Sequence, residues 1–338
     1  MKVYAPMDQR MPLARVAAHA QRAERLGYSG LTVPEAVHDG FLGALLALEH
    51  TRTLEVTTSV VLAFPRSPTA VAYAAWDLQA LSGGRFQLGL GTQVRGNIEG
   101  RFGVAWEPPV PRMREYVGAL RAVWACWRDG TPLDFRGAHY RLTRMQPFFR
   151  PEPIEHPGIP VALGAVGPDL TRLAGEVADA LLTHPTNASP RFLREVTLPA
   201  LAEGAARAGR RPPGVVAAGF VATGPTPEAV AADRERIRGY LGFLYSTPQY
   251  RASLEHHGRG DLGRRLHDLA REGRWAELPG AVDDELLDAL VPTGSYAEIA
   301  GVLRAWYGGL AAGIAFPMPD DPAHDAAAAA VIAALRAC

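Results

Sequence analysis

The chain has little cysteine. Its 338 residues include two, Cys126 and Cys338, too few for a disulfide framework or a thiolate metal site. Cys126 lies in the apolar run Val123-Trp124-Ala125-Cys126-Trp127 and reads as inert core; Cys338 reads as a frayed terminus. No charge sign is in excess. Lys+Arg and Asp+Glu both number 35, so the net charge points to neither nucleic acid nor an anionic membrane surface. No uninterrupted apolar run reaches membrane-span length. Met1-Lys2-Val3-Tyr4-Ala5 reads as a first strand and not as a signal peptide, which makes the cytoplasm the expected location. Several catalytic signatures are missing too. There is no His-Glu-x-x-His, and His256-His257 lacks a spaced partner, so no metal is expected. There is no Gly-x-Ser-x-Gly elbow, which argues against serine hydrolysis.

What is present is alternation. Lys2–Ala5, Gly30–Val33, Leu54–Phe64 and Phe86–Leu90 read as strands, each followed by a helical pattern. Leu13, Val16, Ala17, Ala20, Ala23 and Leu26 share one helix face, and Gly27 closes that helix. The third strand is rich in β-branched residues. Ser82-Gly83-Gly84 ends the third helix. Further strands are expected at Pro160–Leu163, Asp179–Thr183, Gly214–Ala222 and Ala312–Pro317, again with helices between them. Eight strand-then-helix units in 338 residues point to a single α/β domain over 1–338, a (β/α)8 TIM barrel with insertions. Three stretches break the alternation. They are a lid-like loop at about 92–111, a hairpin at about 131–146 turning at Gly137, and a helical insertion at about 243–290.

In such a barrel the chemistry lies in the loops after the strands. Glu35 follows strand two and reads as a general base or an acceptor for a cofactor hydroxyl; the plain alternative is a surface carboxylate. His38 reads as an acid/base group or as a solvent-facing histidine. Gly164-Ala165-Val166-Gly167-Pro168 joins a strand to a helix and suits an anion, because backbone N–H groups and the helix N-terminus converge there. It is neither a Gly-x-Gly-x-x-Gly fingerprint nor a Walker loop, and a purely structural turn is its alternative.

Some longer motifs carry a resemblance. Thr57-Thr58-Ser59-Val60, Phe64-Pro65-Arg66-Ser67-Pro68, Ala75-Trp76-Asp77-Leu78-Gln79-Ala80-Leu81-Ser82-Gly83-Gly84-Arg85-Phe86-Gln87-Leu88-Gly89-Leu90-Gly91 and Arg112-Met113-Arg114-Glu115-Tyr116 together resemble the bacterial luciferase-like monooxygenase superfamily. The branch most similar is that of the deazaflavin (coenzyme F420)-dependent oxidoreductases. Phe135-Arg136-Gly137-Ala138-His139-Tyr140 and Ala174-Gly175-Glu176-Val177-Ala178-Asp179 fit as well, so the likeness runs from the first strand to the last helix.

The resemblance implies a cofactor, F420, with FMN as the alternative because some members use it. It implies a non-prolyl cis peptide at Ser59–Val60 behind the deazaflavin ring. It implies Glu35 as the acidic residue after strand two, Thr92 and Gln93 along the ring's edge, Ala165, Val166 and Gly167 as the phosphate turn, and His184 at the next strand exit. Glu35, His38 and Gln93 are then the catalytic candidates. Arg66 and Arg101 are candidates for holding an anionic substrate or cofactor tail. Asn97 joins the substrate set, and Trp106, with Phe41, Phe64 and Phe102, forms a candidate apolar substrate pocket.

Departures narrow the reaction. The sugar-phosphate dehydrogenases of the family have a histidine where this chain has Ala36 and a glutamate where it has Val94. The closer branch usually has a histidine where this chain has Asn97. The expected activity is hydride transfer between the deazaflavin C5 and an unidentified small organic substrate, with the proton supplied by His38 or Glu35, or with none required. The alternatives are an FMN monooxygenase using O2 and a separate reductase, and a non-catalytic flavin-binding barrel. A homodimer through helices two and three is implied by the same resemblance.

Overall fold

Eight parallel strands close on themselves in the computed structural model, which describes residues 1–337. They are β1 (Lys2–Pro6), β2 (Gly30–Val33), β3 (Glu55–Thr58) with a continuation at Val61–Leu62, β4 (Phe86–Gly91), β5 (Val161–Gly164), β6 (Ala180–Leu182), β7 (Gly214–Ala217) and β8 (Gly313–Ala315). Around the barrel each strand pairs with its sequence neighbours; β1 also pairs with β8, and Val56 opposite Phe86 joins β3 to β4. This is the expected (β/α)8 barrel. Cys338 lies outside the described residues.

The Ser-Gly-Gly-Arg block is architectural. Ser67 caps the helix Pro68–Ser82 by accepting from the Ala70 N–H, and Gly83 and Gly84 end it with φ of 60° and 93°, where a Cβ is disfavoured. Arg85 then works as a bolt. Its guanidinium donates to the carbonyls of Leu48, Thr51, Leu54 and Ser82, so the end of the helix Gly40–Glu49 and the start of β3 are held together. Burial draws its pKa down, and it makes a fifth hydrogen bond to Thr51 Oγ1, with no carboxylate in contact.

The barrel interior is polar where the sequence shows threonine. Thr57 Oγ1 donates to Gln87 Oε1 at 2.9 Å, and Thr58 Oγ1 both donates to the Gly89 carbonyl and accepts from its N–H. A Cβ on Gly89 would fall 1.7 Å from the Thr58 carbonyl oxygen. Glycine there is a packing requirement.

Three expectations need correcting. The third strand does not run unbroken from 54 to 64, because the chain kinks at the cis peptide Ser59–Val60 and resumes at Val61. The seventh does not extend to 222. It leaves the barrel after Ala217, and Ala222–Gly224 pairs in parallel with Thr293–Ser295 in a separate two-stranded sheet that no residue pattern announced. The 92–111 stretch holds a short helix, Arg95–Gly100, and the helix Pro109–Asp129 begins inside it. Elsewhere Phe135–Arg136 pairs with Arg141–Leu142 as an antiparallel hairpin. The segment from 243 to 290 is helical, and its Tyr245, Leu254, Leu266, Leu278 and Leu287 pack with Ile237 and Leu241 into an apolar cluster separate from the main core.

Candidate active site

The C-terminal ends of all eight strands surround one cavity of about 810 Å³. Its floor is set by Val60. A Cβ on Gly91 would sit 2.4 Å from Val60 Cγ2, and one on Gly164 3.0 Å from Val60 Cγ1. The Val60 side chain projects between β4 and β5, and glycine at both positions is what lets it. Ser59 is held by its N–H, which donates to the Val33 carbonyl at 2.7 Å. Ser59, Val60, Thr92, Gln93, Ala165, Val166, Gly167, His184, Glu35 and Trp106, named as candidates from the sequence, all line this cavity.

Glu35 is held on both carboxylate oxygens. Its side chain is 6% exposed. One oxygen accepts from Arg66 Nη1 at 2.9 Å and the other from the Leu62 N–H at 3.2 Å. Arg66 also donates to Asp39 at 2.7 Å and to the Leu62 carbonyl. Those two carboxylates hold the guanidinium's pKa up against the burial that works to lower it. Asp39 in turn caps the helix Gly40–Glu49 through the Phe41 N–H. The three charged groups form a brace between the exit of β2 and the chain just past the Ser59–Val60 kink. Arg66, the candidate anion holder, is paired with Glu35 and Asp39 here.

Outside the cavity wall lie His38, Arg66, Asn97 and Arg101, and with them Phe41, Phe64 and Phe102. Arg101 donates to the Ala36 carbonyl and covers the Phe102 ring at 4.9 Å, tying the lid loop to the β2 exit. Asn97 sits in the helix Arg95–Gly100, its carbonyl accepting from the Arg101 and Phe102 N–H groups. Phe64 packs edge-on to Trp106 at 6.3 Å, and Arg112 covers Phe64 at 4.5 Å. Of these rings, Trp106 reaches the cavity.

The turn after β5 carries unpaired backbone N–H groups. Asn187, 1% exposed, donates from Nδ2 to the Ala165 and Val166 carbonyls, turning both away from the cavity. The N–H groups of Val166, Gly167, Asp169 and Leu170 find no acceptor among the described residues, and no side chain caps the helix Pro168–Val177 that begins there. A Cβ on Gly167 would meet open space. Free N–H groups at a helix start are the ordinary protein device for a phosphate.

His184 stands beside this turn. Its N–H donates to Asn187 Oδ1 at 2.7 Å, and its Nδ1 lies 2.8 Å from Thr186 Oγ1 while accepting from the Thr186 N–H at 3.4 Å. Burial pushes its pKa down to about 4. The ring is therefore neutral at pH 7 and, with Nδ1 accepting, carries its proton on Nε2. Tyr250 stacks on it, with ring centroids 4.4 Å apart and planes 17° from parallel. Tyr250 and its neighbour Gln249 come from the helical insertion, so that segment forms part of the cavity wall. No spacing in the sequence pointed to them. Tyr245, whose hydroxyl donates to the Thr186 carbonyl at 2.9 Å, fixes the insertion against the β6 exit. No cluster of His, Cys, Asp and Glu among the described residues suits a metal ion, and no described helix is long and apolar enough to cross a membrane.

Comparison with known proteins agrees with this arrangement. A sequence profile of the luciferase-like monooxygenase domain matches residues 2–313. An uncharacterized protein of Mycobacterium tuberculosis is 47% identical over 294 residues, 86% of each chain. A second protein of that organism, named provisionally as a coenzyme F420-dependent oxidoreductase, is 33% identical over 280 residues, 76% of each. Among solved structures, the coenzyme F420-dependent tetrahydromethanopterin reductase of Methanopyrus kandleri superposes with a TM-score of 0.80 at 17% identity, covering 99% of this chain and 98% of that one. With its barrel, its kinked third strand and its glycine-lined cavity, the chain belongs to the luciferase-like monooxygenase family of oxidoreductases.

Proposed function

We propose that this protein is an F420-dependent oxidoreductase that transfers a hydride between the deazaflavin and a small organic substrate. The observation that carries the reading is one cavity with two unlike ends. At one end the Val60 side chain, seated against Gly91 and Gly164, makes an apolar floor, and at the other the adjoining 164–167 turn offers unpaired N–H groups. A ring system attached to a phosphate fits that pairing. The similarity to a relative named for coenzyme F420 favours the deazaflavin over FMN.

When bound, the reduced cofactor supplies a hydride at its C5. The chain supplies the rest. Ser59 and Val60 would back the ring, and Thr92 would face its edge. Val166, Gly167, Asp169 and Leu170 would offer N–H groups to the phosphate, and the neutral His184 would add its Nε2–H. Glu35 acts through Arg66 and Leu62 by holding the kinked strand. Pro34, Leu62, Val94, Trp106 and Pro109 give the remaining space an apolar lining that keeps water from the reacting carbon.

The same reading places the protein in the cytoplasm as a homodimer. Leu42 and Leu45 on the second helix, Val37 before it and Leu81 on the third are all exposed, an apolar face suited to a second copy.

Titration of the purified protein with F420 and with FMN, followed by cofactor fluorescence, tests the proposal. Micromolar F420 binding without FMN binding is expected, together with a loss of more than about tenfold in Gly167→Asp, where a carboxylate meets the phosphate. Tight FMN binding with oxygen-consuming turnover overturns it in favour of a monooxygenase. Binding of neither removes the enzymatic reading. Unchanged affinity in Gly167→Asp removes the phosphate site.

A further inference from the structure

We propose that the side-chain amide of Gln93 is a fixed hydrogen-bond donor for a carbonyl oxygen of the substrate, so that the substrates are carbonyl compounds with an uncharged, largely apolar body. The inference rests on the hydride-transfer reading above and deepens it.

Gln93 has an unusual backbone. Its φ of 57° makes it the one non-glycine in the left-handed region among the described residues. The left-handed region disfavours an L residue, and such conformations persist where the surroundings over-determine them. The side chain is oriented as well. The Val94 N–H donates to Gln93 Oε1 at 2.9 Å. An N–H cannot donate to an amide NH2, so this contact decides which end of the amide is which. The nitrogen, Nε2, is then left without a partner among the described residues, on a side chain that lines the cavity. Both its backbone and its oxygen are pinned, and a two-proton donor remains.

Position separates this donor from the ring-binding floor. Val60, Gly91 and Gly164 form one contact set. Gln93 lies two residues past Gly91, at the start of the lid loop that brings Trp106 and Pro109 into the wall. Its surroundings carry no free charge of use to an ionic substrate. Glu35 is paired with Arg66. Arg95, at the mouth, is paired with Glu99, and both are largely exposed. The lid loop that follows Gln93 adds Val94, Trp106 and Pro109 to a cavity that Gln9, Thr32, Gln249 and Tyr250 also line, and a donor beside that apolar part selects an acceptor oxygen on a molecule with an apolar portion.

The chemistry balances. The hydride from the reduced deazaflavin brings two electrons and one hydrogen to the carbonyl carbon. The π pair of the C=O bond moves to oxygen, and that oxygen takes a proton from water at the open mouth. Gln93 transfers nothing. It strengthens its bond to the oxygen as negative charge gathers there, the condition under which a hydrogen bond lowers a barrier.

Acetophenone and α-methylstyrene, which share a shape but differ in C=O against C=CH2, test the assignment. Their affinities are measured by saturation-transfer NMR on the full chain, free and loaded with F420. The wild type is expected to prefer the ketone about 3- to 10-fold. Gln93→Glu keeps an acceptor for the Val94 N–H but removes the donor, and Gln93→Gly accepts the left-handed backbone without strain. Both are expected to lose the preference while F420 affinity changes less than about twofold. Absence of the preference in the wild type, including binding of neither probe, overturns the inference. So does a preference that survives both variants, which would make Gln93 a structural cap. So does a loss of F420 affinity in both, which would assign the amide to the cofactor. A ketone preference that needs Gln93 in a protein that does not bind F420 overturns the cofactor reading and upholds the donor.

Discussion

Acidification offers a direct test of the environment assigned to His184. Its pKa falls from the ordinary 6.5 to about 4 because burial disfavours the imidazolium. In the unfolded chain the same ring protonates near 6.5. Between those values the unfolded state binds the extra proton and the native state does not, so native stability falls as pH falls. The contribution is complete above pH 6.5, erodes below it and is exhausted below pH 4. Integrated to pH 5, a shift of this size corresponds to about 2 kcal/mol. The ring edge that faces the cavity is screened by water, which reduces the expectation to about 1–2 kcal/mol. The assay is urea unfolding, followed by tryptophan fluorescence at pH 7.5 and pH 5.0, for the wild type and His184→Gln. The wild type should lose about 1–2 kcal/mol more than the variant on acidification. His19 and His257, whose pKa values are also lowered by burial, are common to both proteins and cancel in the difference. Parallel pH dependences would refute the buried, neutral ring, and with it the Nε2–H donor beside the phosphate turn.

Other substitutions probe the rest of the site. Gly91→Ala puts a methyl 2.4 Å from Val60 Cγ2 and should cost about 1–3 kcal/mol; the double variant with Val60→Ala should recover most of it in a thermal melt, and failure to do so would move the crowding elsewhere. Glu35→Ala leaves Arg66 with Asp39 as its one carboxylate and the Leu62 N–H unpaired, so a loss of about 2–3 kcal/mol is expected. Turnover that collapses in Glu35→Gln at unchanged stability would instead make Glu35 a proton-transfer group. Leu45→Glu, on the exposed face of the second helix, should halve the mass measured by light scattering; an unchanged mass would remove that face as the dimer contact.

How far the sequence could be read differed by element. The barrel strands and the helices around them were legible because their burial repeats with a period the residues display. The Ser59–Val60 kink was legible through family likeness and not through pattern, since Leu54–Phe64 reads as one β-branched run. The extra pair Ala222–Gly224 and Thr293–Ser295 was illegible, because three residues carry no period and the partners are far apart in the chain. Tyr250 and Asn187 were missed for a related reason. Each matters through a neighbour from another element, His184 for one and the Ala165–Val166 carbonyls for the other.

By itself the sequence determined the architecture and the kinship. Eight strand–helix alternations and the Ser-Gly-Gly-Arg block are local facts, written in propensity, turn chemistry and periodicity. The tertiary structure decided which polar groups remain available for chemistry. Glu35 and Arg66 are thirty-one residues apart and looked like two separate functional groups; folding pairs them, so they brace the site. Gln93 was, of three catalytic candidates, the one with no stated chemistry, until its backbone and the Val94 N–H fixed which end of its amide is free. Availability is a property of what each group meets in space, and only the closed barrel brings those partners together.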